Sequence, residues 1–387
     1  MESYKRTVFT LLFVLIILSA ALIFLERREP EVTPEPTASS FIIRVETEYL
    51  NNGTEAWEMS EMDKAVSLFM NNSIQTVSLI NHSHPIQSYK RDEDGNPYAL
   101  LDLPSTTLKP GDSLKVTVEY KAVYKERPSY NLTEPSGSLE DIPQELVHEY
   151  CKDCDNWQLS NPLLRELAMN LTSKEKDVLT IVENFVAWIR KNVHYTMNEY
   201  PLYPNETYTY RSGDCDDQAI LFISLCRIVG IPAYLQTGCI YIRHKANLTL
   251  WNDHVRLILK NISWHGWAVA YIPPWGWLPV DLTWGLSSPL KAIDSAALIT
   301  QKTFQLMNVT NQNYVASSRE EYSLILQKNL YITESEEMTL ISPEERDMGS
   351  SLYLMFSFLM VPEISKWDIL LIQVERRLSV SAKRVIL

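Results

Sequence analysis

Cysteine and positive charge are both scarce in this sequence. Five cysteines in 387 residues are too few for a scaffold that is held together by disulfides. The 48 acidic residues outnumber the 35 basic ones, and the net charge is -13, so we expect no nucleic acid among the partners. Apolar residues make up 45% of the chain, which predicts packed cores rather than disorder. The length fits two or three domains.

Patterns typical of metal sites are also scarce. Cys151 and Cys154 form a single C-x-x-C pair, whereas zinc sites usually add a second pair or two histidines. The pair fits a disulfide or two thiols better than half of a metal site. His82 and His84 have no third ligand close in sequence, which favours loop histidines. No calcium-loop pattern stands out, and we expect no metal or cofactor.

One long apolar run begins near the start of the chain. Residues 7–25 carry no charge and are long enough to cross a bilayer as a helix. A cleaved signal peptide is the alternative, but Ser19, Ala20 and Ala21 lie inside the run rather than after it, which favours an uncleaved anchor over residues 1–28. The Pro- and Glu-rich residues 29–40 predict a stiff, extended linker.

Sequons of the form N-x-[ST] are more frequent than the composition explains, since chance would give roughly three. The excess predicts a glycosylated chain on the extracellular side of the cell membrane. A chance run in a chain rich in Ser and Thr is the alternative. The sequons lie at Asn52, Asn71, Asn81, Asn131, Asn170, Asn205, Asn247, Asn261 and Asn308.

Short alternating stretches with turns between them fill residues 41–126. Residues 65–69, 74–80 and 114–120 predict strands, and together they indicate an antiparallel β-sandwich without a catalytic constellation. At the other end, residues 291–387 form an extension to which we assign no function. In it, Ser317 and Glu320 predict a capping box that opens a helix over 317–326. Residues 351–361 are apolar but too few to span a membrane, and residues 366–378 predict an amphipathic helix or strand.

The most informative stretch is 210–284. Cys215 lies at the predicted N-terminus of a helix with apolar residues at helical spacing, and Gly230-Ile231-Pro232 ends that helix. The positive end of the helix dipole favours thiolate over thiol at Cys215. A nearby histidine with a carboxylate on its far nitrogen would complete an activated nucleophile. His265 and Asp281 follow in that order.

Four blocks in this stretch resemble the transglutaminase-like superfamily, the papain-like group that includes transglutaminases, bacterial and archaeal proteases and peptide N-glycanases. The blocks are Gly213-Asp214-Cys215-Asp216-Asp217-Gln218-Ala219, Gly230-Ile231-Pro232-Ala233, His265-Gly266-Trp267 and Gly276-Trp277-Leu278-Pro279-Val280-Asp281. The resemblance covers roughly 164–285. It implies an α+β, papain-like core, which we place at residues 127–290, with a catalytic triad of Cys215, His265 and Asp281. Ala268 and Val269 replace the acidic residue that often follows the histidine block, which leaves substrate contacts near His265 open.

Two other histidines and several tryptophans compete for roles near this site. His254 begins an apolar strand and is the alternative to His265, whereas His194 is expected to be structural. The tryptophans between 264 and 284 predict core packing, a hydrophobic cleft wall, or both. Trp267 and Trp277 are the candidates for substrate contact.

The acids and the remaining thiols of this stretch have simpler explanations than chemistry. Asp214, Asp216 and Asp217 permit a metal cluster, but helix caps and solvated acids explain them more simply. Cys226 and Cys239 are expected to pack in the core, and a disulfide between them stays open.

The predicted activity is hydrolysis of a peptide or amide bond in a protein or peptide substrate. Transglutaminase-type transfer to an amine is the alternative, and hydrolysis is favoured because no feature marks an amine-acceptor site. Two more hypotheses stay open: a non-catalytic cell-surface binding module that keeps the fold, and a hydrolase of glycan amides.

Overall fold

Residues 39–341 are described by the computed structural model of the protein, apart from residues 126, 128, 129, 134 and 286. The predicted anchor (1–28), most of the predicted linker (29–40) and the segments predicted at 351–361 and 366–378 lie outside the described residues. Among the helices of the described part, none is both long enough and apolar enough to cross a membrane.

Most of the described strands belong to one mixed sheet. The strands are β1 (Ser39–Asn51), β2 (Trp57–Glu58), β3 (Ala65–Ser67), β4 (Gln75–His82), β5 (Ile86–Arg91), β6 (Pro97–Leu101), β7 (Thr107–Leu108), β8 (Ser113–Tyr124), β9 (His194–Tyr195), β10 (Ser212–Gly213), β11 (Ala233–Leu250), β12 (Val255–Ile272), β13 (Gly276–Val280), β14 (Thr303–Val309) and β15 (Leu330–Ile341). The main sheet runs in the order β14-β11-β12-β15-β1-β8-β4, and β13 also pairs with β12.

The helices cluster between β8 and β11 and again around β14. They are α1 (Gln144–Tyr150), α2 (Pro162–Thr172), α3 (Val178–Asn192), α4 (Pro204–Tyr210), α5 (Cys215–Ile228), α6 (Lys291–Asp294), α7 (Ala297–Thr300) and α8 (Tyr314–Lys328). α5 is buried along almost its whole length, because it packs on β11 and β12 on one side and on α2, α3 and α4 on the other. The described residues thus form a mixed α+β fold.

The strands predicted at 65–69, 74–80 and 114–120 correspond to β3, β4 and β8. They do not form a separate sandwich, because the layer that contains β1, β8 and β4 continues into the main sheet through β15, which pairs with β12 on one side and β1 on the other. The second layer is the small sheet β3-β6-β5. The two layers touch where the hydroxyl of Tyr120, on β8, donates to the carbonyl oxygen of Ser67, on β3, at 2.8 Å. The domain boundaries at 126 and 290 stay predictions.

The helix predicted at 317–326 is α8, which begins at Tyr314, about one turn earlier than the sequence indicated. Its N-cap is Asn313, whose side-chain oxygen accepts a hydrogen bond from the Ala316 backbone N–H at 3.1 Å, so the Ser317–Glu320 capping box is wrong. Tyr314 and Val315 lie in the first turn and are fully buried. Their burial against the core explains why the helix extends to them.

Candidate active site

Cys215 is the first residue of α5. Asp214 is the N-cap, and Asp217 reaches back so that its carboxylate accepts from the Asp214 N–H at 3.1 Å. This capping box fixes the start of the helix at Cys215. The thiol is 1% exposed and lies at the positive end of the helix dipole, where negative charge is favoured. The predicted helix start at this cysteine therefore agrees with the structure.

His265 and Asp281 face each other across neighbouring strands. His265 lies on β12, and Asp281 directly follows β13, which pairs with β12 from Ala268 onward. The His265 Nε2 and the Asp281 Oδ2 are 2.8 Å apart, and both side chains are fully buried. The structure thus brings two of the three predicted triad members into direct contact.

The Asp281 carboxylate is held by more than the histidine. Backbone N–H groups of Thr283, Trp284 and Ala297 donate to its oxygens at 3.2, 3.0 and 3.1 Å. Burial alone would raise the pKa of Asp281, but the charge and hydrogen bond of His265 and the backbone donors outweigh it and lower the pKa below its usual value. The carboxylate therefore stays ionised and fixes the Nε2 side of the imidazole, which leaves Nδ1 as the nitrogen for chemistry.

The first turn of α5 packs against β12 at the histidine. A Cβ built on Gly266 would lie 3.1 Å from Asp216 Cβ and 3.5 Å from Asp216 Cα, so the residues that follow Cys215 and His265 are in contact. Along one of its edges, β12 pairs with β15 up to Lys260 and with β13 from Ala268. Residues 261–267 have no strand partner on that edge within the described part of the chain. The helix terminus that carries Cys215 therefore approaches β12 next to His265.

The acids beside Cys215 are not solvated, so that expectation is wrong. Asp214, Asp216 and Asp217 are each buried to at least 99%, because α8 and the segment before α4 cover them. The Tyr314 hydroxyl donates to Asp216 Oδ2 at 2.7 Å, and the Leu202 N–H donates to Asp217 Oδ1 at 2.6 Å. We name these three residues the buried acid trio.

Crowding of the carboxyl groups in a dry site raises the pKa of two of them, Asp214 and Asp217. Burial, followed by the charges of Asp217 and Asp216, raises the pKa of Asp214 well above its usual value. Burial and the charge of Asp216 raise the pKa of Asp217 to about 7. The ligand atoms of the trio lie within 4.8 Å of one another, and among the described residues it is the group with the spacing to hold a metal ion. The donors from Leu202 and Tyr314 already occupy oxygens of the trio. This favours protons shared between the carboxyl groups over a bound metal ion.

The competing histidines lie elsewhere. His254 Nδ1 is 2.9 Å from the Asn252 carbonyl oxygen, its Nε2 is 3.1 Å from Asn329 Oδ1, and its ring stacks on Tyr331. These contacts tie His254 to β15 and the end of α8. His194 is exposed on β9. The imidazole that contacts the Asp281 carboxylate within the described residues is therefore that of His265.

The two tryptophan candidates differ in their exposure. Trp267 is 1% exposed, and its ring centroid is 5.8 Å from that of His265. It therefore packs beside the histidine rather than presenting a surface to substrate. Trp277 is half-buried and packs against Tyr150 and Tyr234 with centroid distances of 4.8 and 5.1 Å. It also lines a cavity on the histidine face of the sheet. Trp277 is therefore better placed than Trp267 to meet a substrate.

The remaining thiols form no disulfide, either between Cys151 and Cys154 or between Cys226 and Cys239. Cys226 and Cys239 are fully buried in the core, as expected. Burial raises the pKa of the Cys151 thiol to about 11, so it is a poor nucleophile at neutral pH.

The predicted sequons divide into exposed and half-buried positions. The exposed asparagines are Asn52, Asn71, Asn81, Asn131, Asn170 and Asn247. The half-buried ones are Asn205, Asn261 and Asn308. Asn308 Oδ1 also accepts a hydrogen bond from Gln236 Nε2 at 2.7 Å, so a glycan there would have to disturb packed structure.

Sequence reasoning missed Tyr314, which reaches the trio from α8, and Arg127, which lines the cavity beside Trp277. Both lie outside the four motif blocks. No local pattern signals them, because their proximity to the site depends on the order of strands in the main sheet.

A family model and several solved structures are similar to this chain. Residues 165–282 match the family model of the transglutaminase-like superfamily. A candidate cysteine protease from Cytophaga hutchinsonii is 17% identical over 80% of this chain and 92% of its own, with a TM-score of 0.48. The periplasmic domain of TgpA from Pseudomonas aeruginosa, bound to ethylmercury, is 16% identical over 65% of this chain and 91% of its own, with a TM-score of 0.31. A candidate protease from Parabacteroides distasonis is 12% identical over 71% and 68%, with a TM-score of 0.23. None of the curated proteins compared matches the chain.

Proposed function

We propose that this chain, which carries a transglutaminase-like superfamily domain over residues 165–282, is a cysteine-dependent hydrolase of peptide or amide bonds. The observation that carries the proposal is the buried pair of His265 and Asp281, 2.8 Å apart, at the point where the helix that begins with Cys215 meets β12. A thiol at a helix N-terminus, a histidine and an orienting carboxylate are the groups that an activated cysteine nucleophile requires.

In the proposed reaction, the Cys215 thiolate attacks the substrate carbonyl carbon, and the carbonyl electron pair moves onto oxygen. The Cys215 backbone N–H belongs to the first turn of α5, where N–H groups point out of the helix end, and it donates to this oxyanion. The C–N bond then breaks as His265 Nδ1 protonates the leaving amine, which leaves a thioester on Cys215. Water attacks the thioester and His265 takes a proton from that water. The C–S bond then breaks and releases the carboxylic acid, which restores the Cys215 thiolate and the protonated His265. Asp281 holds the imidazole in place throughout and is not itself protonated.

Transfer of the acyl group to an amine is the second candidate outcome for the same thioester. Nothing in the described part of the chain forms a recognisable amine-acceptor site, so water is the proposed acceptor. Incubation with a glutamine-containing peptide and a primary amine separates the outcomes by mass. Incorporation of the amine in preference to hydrolysis would refute the choice of water.

The first test is alkylation of the native thiols against pH, with the labelled cysteine identified by mass spectrometry. We expect iodoacetamide to label Cys215 at about pH 6, well below the usual thiol pKa of about 8.5, and the His265→Ala variant to label much more slowly. Cys151 is an internal control, because its pKa is raised to about 11. The fully buried Cys226 controls for global opening of the protein. If the labelling rate of Cys215 follows the pH dependence of an ordinary thiol and is unchanged in the His265→Ala variant, the hydrolase proposal fails and a non-catalytic binding module replaces it.

We also propose that residues 7–25 anchor the chain in the cell membrane and that the rest lies outside the cell. The uncharged apolar run and the six exposed sequon asparagines support this location. Treatment of the native protein with an N-glycan-removing enzyme should lower its mass, and alkaline extraction should leave it with the membrane fraction. An unchanged mass together with release by alkali would refute the proposed location.

A further inference from the structure

A small cavity lies on the histidine face of the main sheet. Strand side chains alternate between faces, so Val269 projects on the same side as His265, and Val269 lines this cavity of about 200 Å³. That volume holds several waters. Trp277, Tyr234 and Tyr130 provide aromatic walls, and Arg127 reaches the cavity from the segment after β8. The cavity is therefore apolar over much of its lining, with one cation.

The Arg127 guanidinium is only partly satisfied. Its Nη2 donates to the Thr303 carbonyl oxygen at 2.8 Å, whereas its buried Nε has no acceptor among the described residues. Burial lowers the pKa of Arg127 to about 10, although the neighbouring Tyr124 hydroxyl opposes this effect. No Asp or Glu in the described part of the chain forms an ion pair with Arg127. Removing a cation from water without a counter-ion costs free energy. An anion in the cavity would offset that cost.

A second cation adds to the positive field. The Lys302 ammonium lies 5.5 Å from the centroid of the Tyr124 ring, and the Arg127 guanidinium lies 5.7 Å from the same centroid. Both charges therefore lie near one aromatic side chain, that of Tyr124 at the end of β8. The amides of Gln236 and Gln305, by contrast, are hydrogen-bonded to each other at 2.8 Å. The guanidinium is thus the donor best placed for a ligand.

The cavity and the candidate active site share structural elements. The Ala297 N–H at the start of α7 donates to Asp281 Oδ2 at 3.1 Å, and the next residue, Leu298, lines the cavity. β13 carries Trp277 in the cavity wall and ends immediately before Asp281. Leu298 and Trp277 also pack with Trp267, the tryptophan beside His265. A substrate bound at His265 could therefore extend along this face into the cavity.

We propose that the cavity is a carboxylate-binding subsite of the enzyme and that Arg127 determines its specificity. The proposal rests on the proposed hydrolase function. The occupant is a carboxylate on the peptide substrate, from either an acidic side chain or the C-terminus, because one forked guanidinium matches one planar, singly charged carboxylate. The aromatic walls would enclose the apolar part of the same substrate residue.

The binding test needs no turnover. The full chain with Cys215→Ala is titrated by calorimetry with three probes: N-acetyl-glutamic acid α-amide, N-acetyl-glutamine with a free carboxylate, and N-acetyl-glutamine α-amide. The first carries only a side-chain carboxylate, the second only a C-terminal one, and the third neither. We expect one of the two carboxylate probes to bind at least about tenfold more tightly than the neutral probe, since hydrogen bonds to charged groups are the stronger ones. Which of them binds identifies the source of the carboxylate.

Two variants assign the effect to the guanidinium. Arg127→Gln should remove the preference for the carboxylate probe, and Arg127→Lys should keep the charge but bind several-fold more weakly because the fork is lost. Arg190→Gln is the matched control, because Arg190 is a half-buried arginine on α3 that donates to the Ser288 carbonyl oxygen at 2.7 Å, away from the cavity. Thermal melting of each variant establishes that it is folded. If Arg127→Gln does not fold, the Arg127→Lys comparison decides.

The outcomes separate the subsite from the hydrolase. Equal binding of all three probes, or unchanged preference in the Arg127 variants, overturns the subsite even if Cys215 labels as an activated thiol. Selective binding that depends on Arg127 supports the subsite even if Cys215 proves inert, in which case only the hydrolase proposal falls. If turnover is found, the subsite also predicts that Arg127→Gln raises KM for the carboxylate-bearing peptide more than for its amide.

Discussion

Raising the pH from 5 to 8 should weaken the fold of this protein, because Asp214 and Asp217 of the buried acid trio must give up protons that the folded state holds. In an unfolded chain an aspartate titrates near its ordinary pKa of about 3.9. In the folded protein the pKa of Asp217 is raised to about 7 and that of Asp214 is raised well above its usual value. Between these limits the folded state binds more protons than the unfolded state, so the free energy of unfolding falls as the pH rises.

The size of the effect follows from the shift of Asp217. One pKa unit corresponds to about 1.4 kcal/mol. For Asp217, the destabilisation is absent below about pH 4, builds between about pH 4 and 7, and is constant above the folded-state pKa. From pH 5 to 7 it is on the order of 3 kcal/mol. Asp214 extends the loss to higher pH, because its pKa is also raised.

Urea unfolding of the full chain at pH 5, 6 and 7 measures this slope, with the denaturant m-value checked for constancy. Asp216→Asn should flatten it, because the Asp216 charge is the main electrostatic cause, after burial, of the raised pKa of Asp217. Asp141→Asn is the control. Asp141 is exposed and hydrogen bonds from Ser138 lower its pKa, so it titrates below this range. A free energy of unfolding that is constant or rises with pH, or an unchanged slope in Asp216→Asn, would refute the argument.

Three further predictions concern contacts at the site. Asp281→Asn removes the carboxylate that holds His265 and should lower kcat of the folded variant by roughly 10²- to 10⁴-fold, and it should also lower the melting temperature, because a buried backbone donor such as the Ala297 N–H can lose its acceptor; an unchanged kcat would contradict the role of Asp281. Tyr314→Phe removes the hydroxyl that donates to Asp216 and should cost about 1–3 kcal/mol in urea unfolding, whereas a cost near zero would show that this hydrogen bond is not stabilising. Gly266→Ala places a Cβ 3.1 Å from Asp216 Cβ and should cost about 1–3 kcal/mol and slow the alkylation of Cys215; a normal alkylation rate would mean that the helix terminus can move without consequence.

The sequence could predict the parts of the site that depend on local pattern. Cys215 at a helix start follows from the capping residues and the apolar spacing after it. His265 and Asp281 follow from the motif blocks that contain them, and they lie on β12 and directly after β13. A helix terminus and a strand pair are each encoded within a short window. The order of the motif blocks then leads to the placement of His265 beside Asp281.

The environment of the site could not be predicted in the same way. The acids at 214–217 have the pattern of ordinary helix caps, and they are buried by residues far from them or from one another in sequence, such as Tyr314 and Leu202. Arg127 reaches the cavity because the segment after β8 lies against β14, where its Nη2 donates to the Thr303 carbonyl oxygen, and such a long-range contact has no local signature. The strands of residues 41–126 likewise join the main sheet instead of forming the predicted, separate sandwich, because β15, from residues 330–341, pairs with β1.

The position of β15 also has a consequence for how the chain acquires its structure during synthesis. This strand lies between β12 and β1, yet it is the last strand of the described residues to leave the ribosome. Until it arrives, β1 and β12 each present an unpaired edge, which is a surface prone to pairing with another chain. Closing the sheet joins residues about 300 positions apart, such as Ser40 and Ile341, and contacts of such long range form slowly. A nascent chain of this protein should therefore be most exposed to aggregation until β15 is complete.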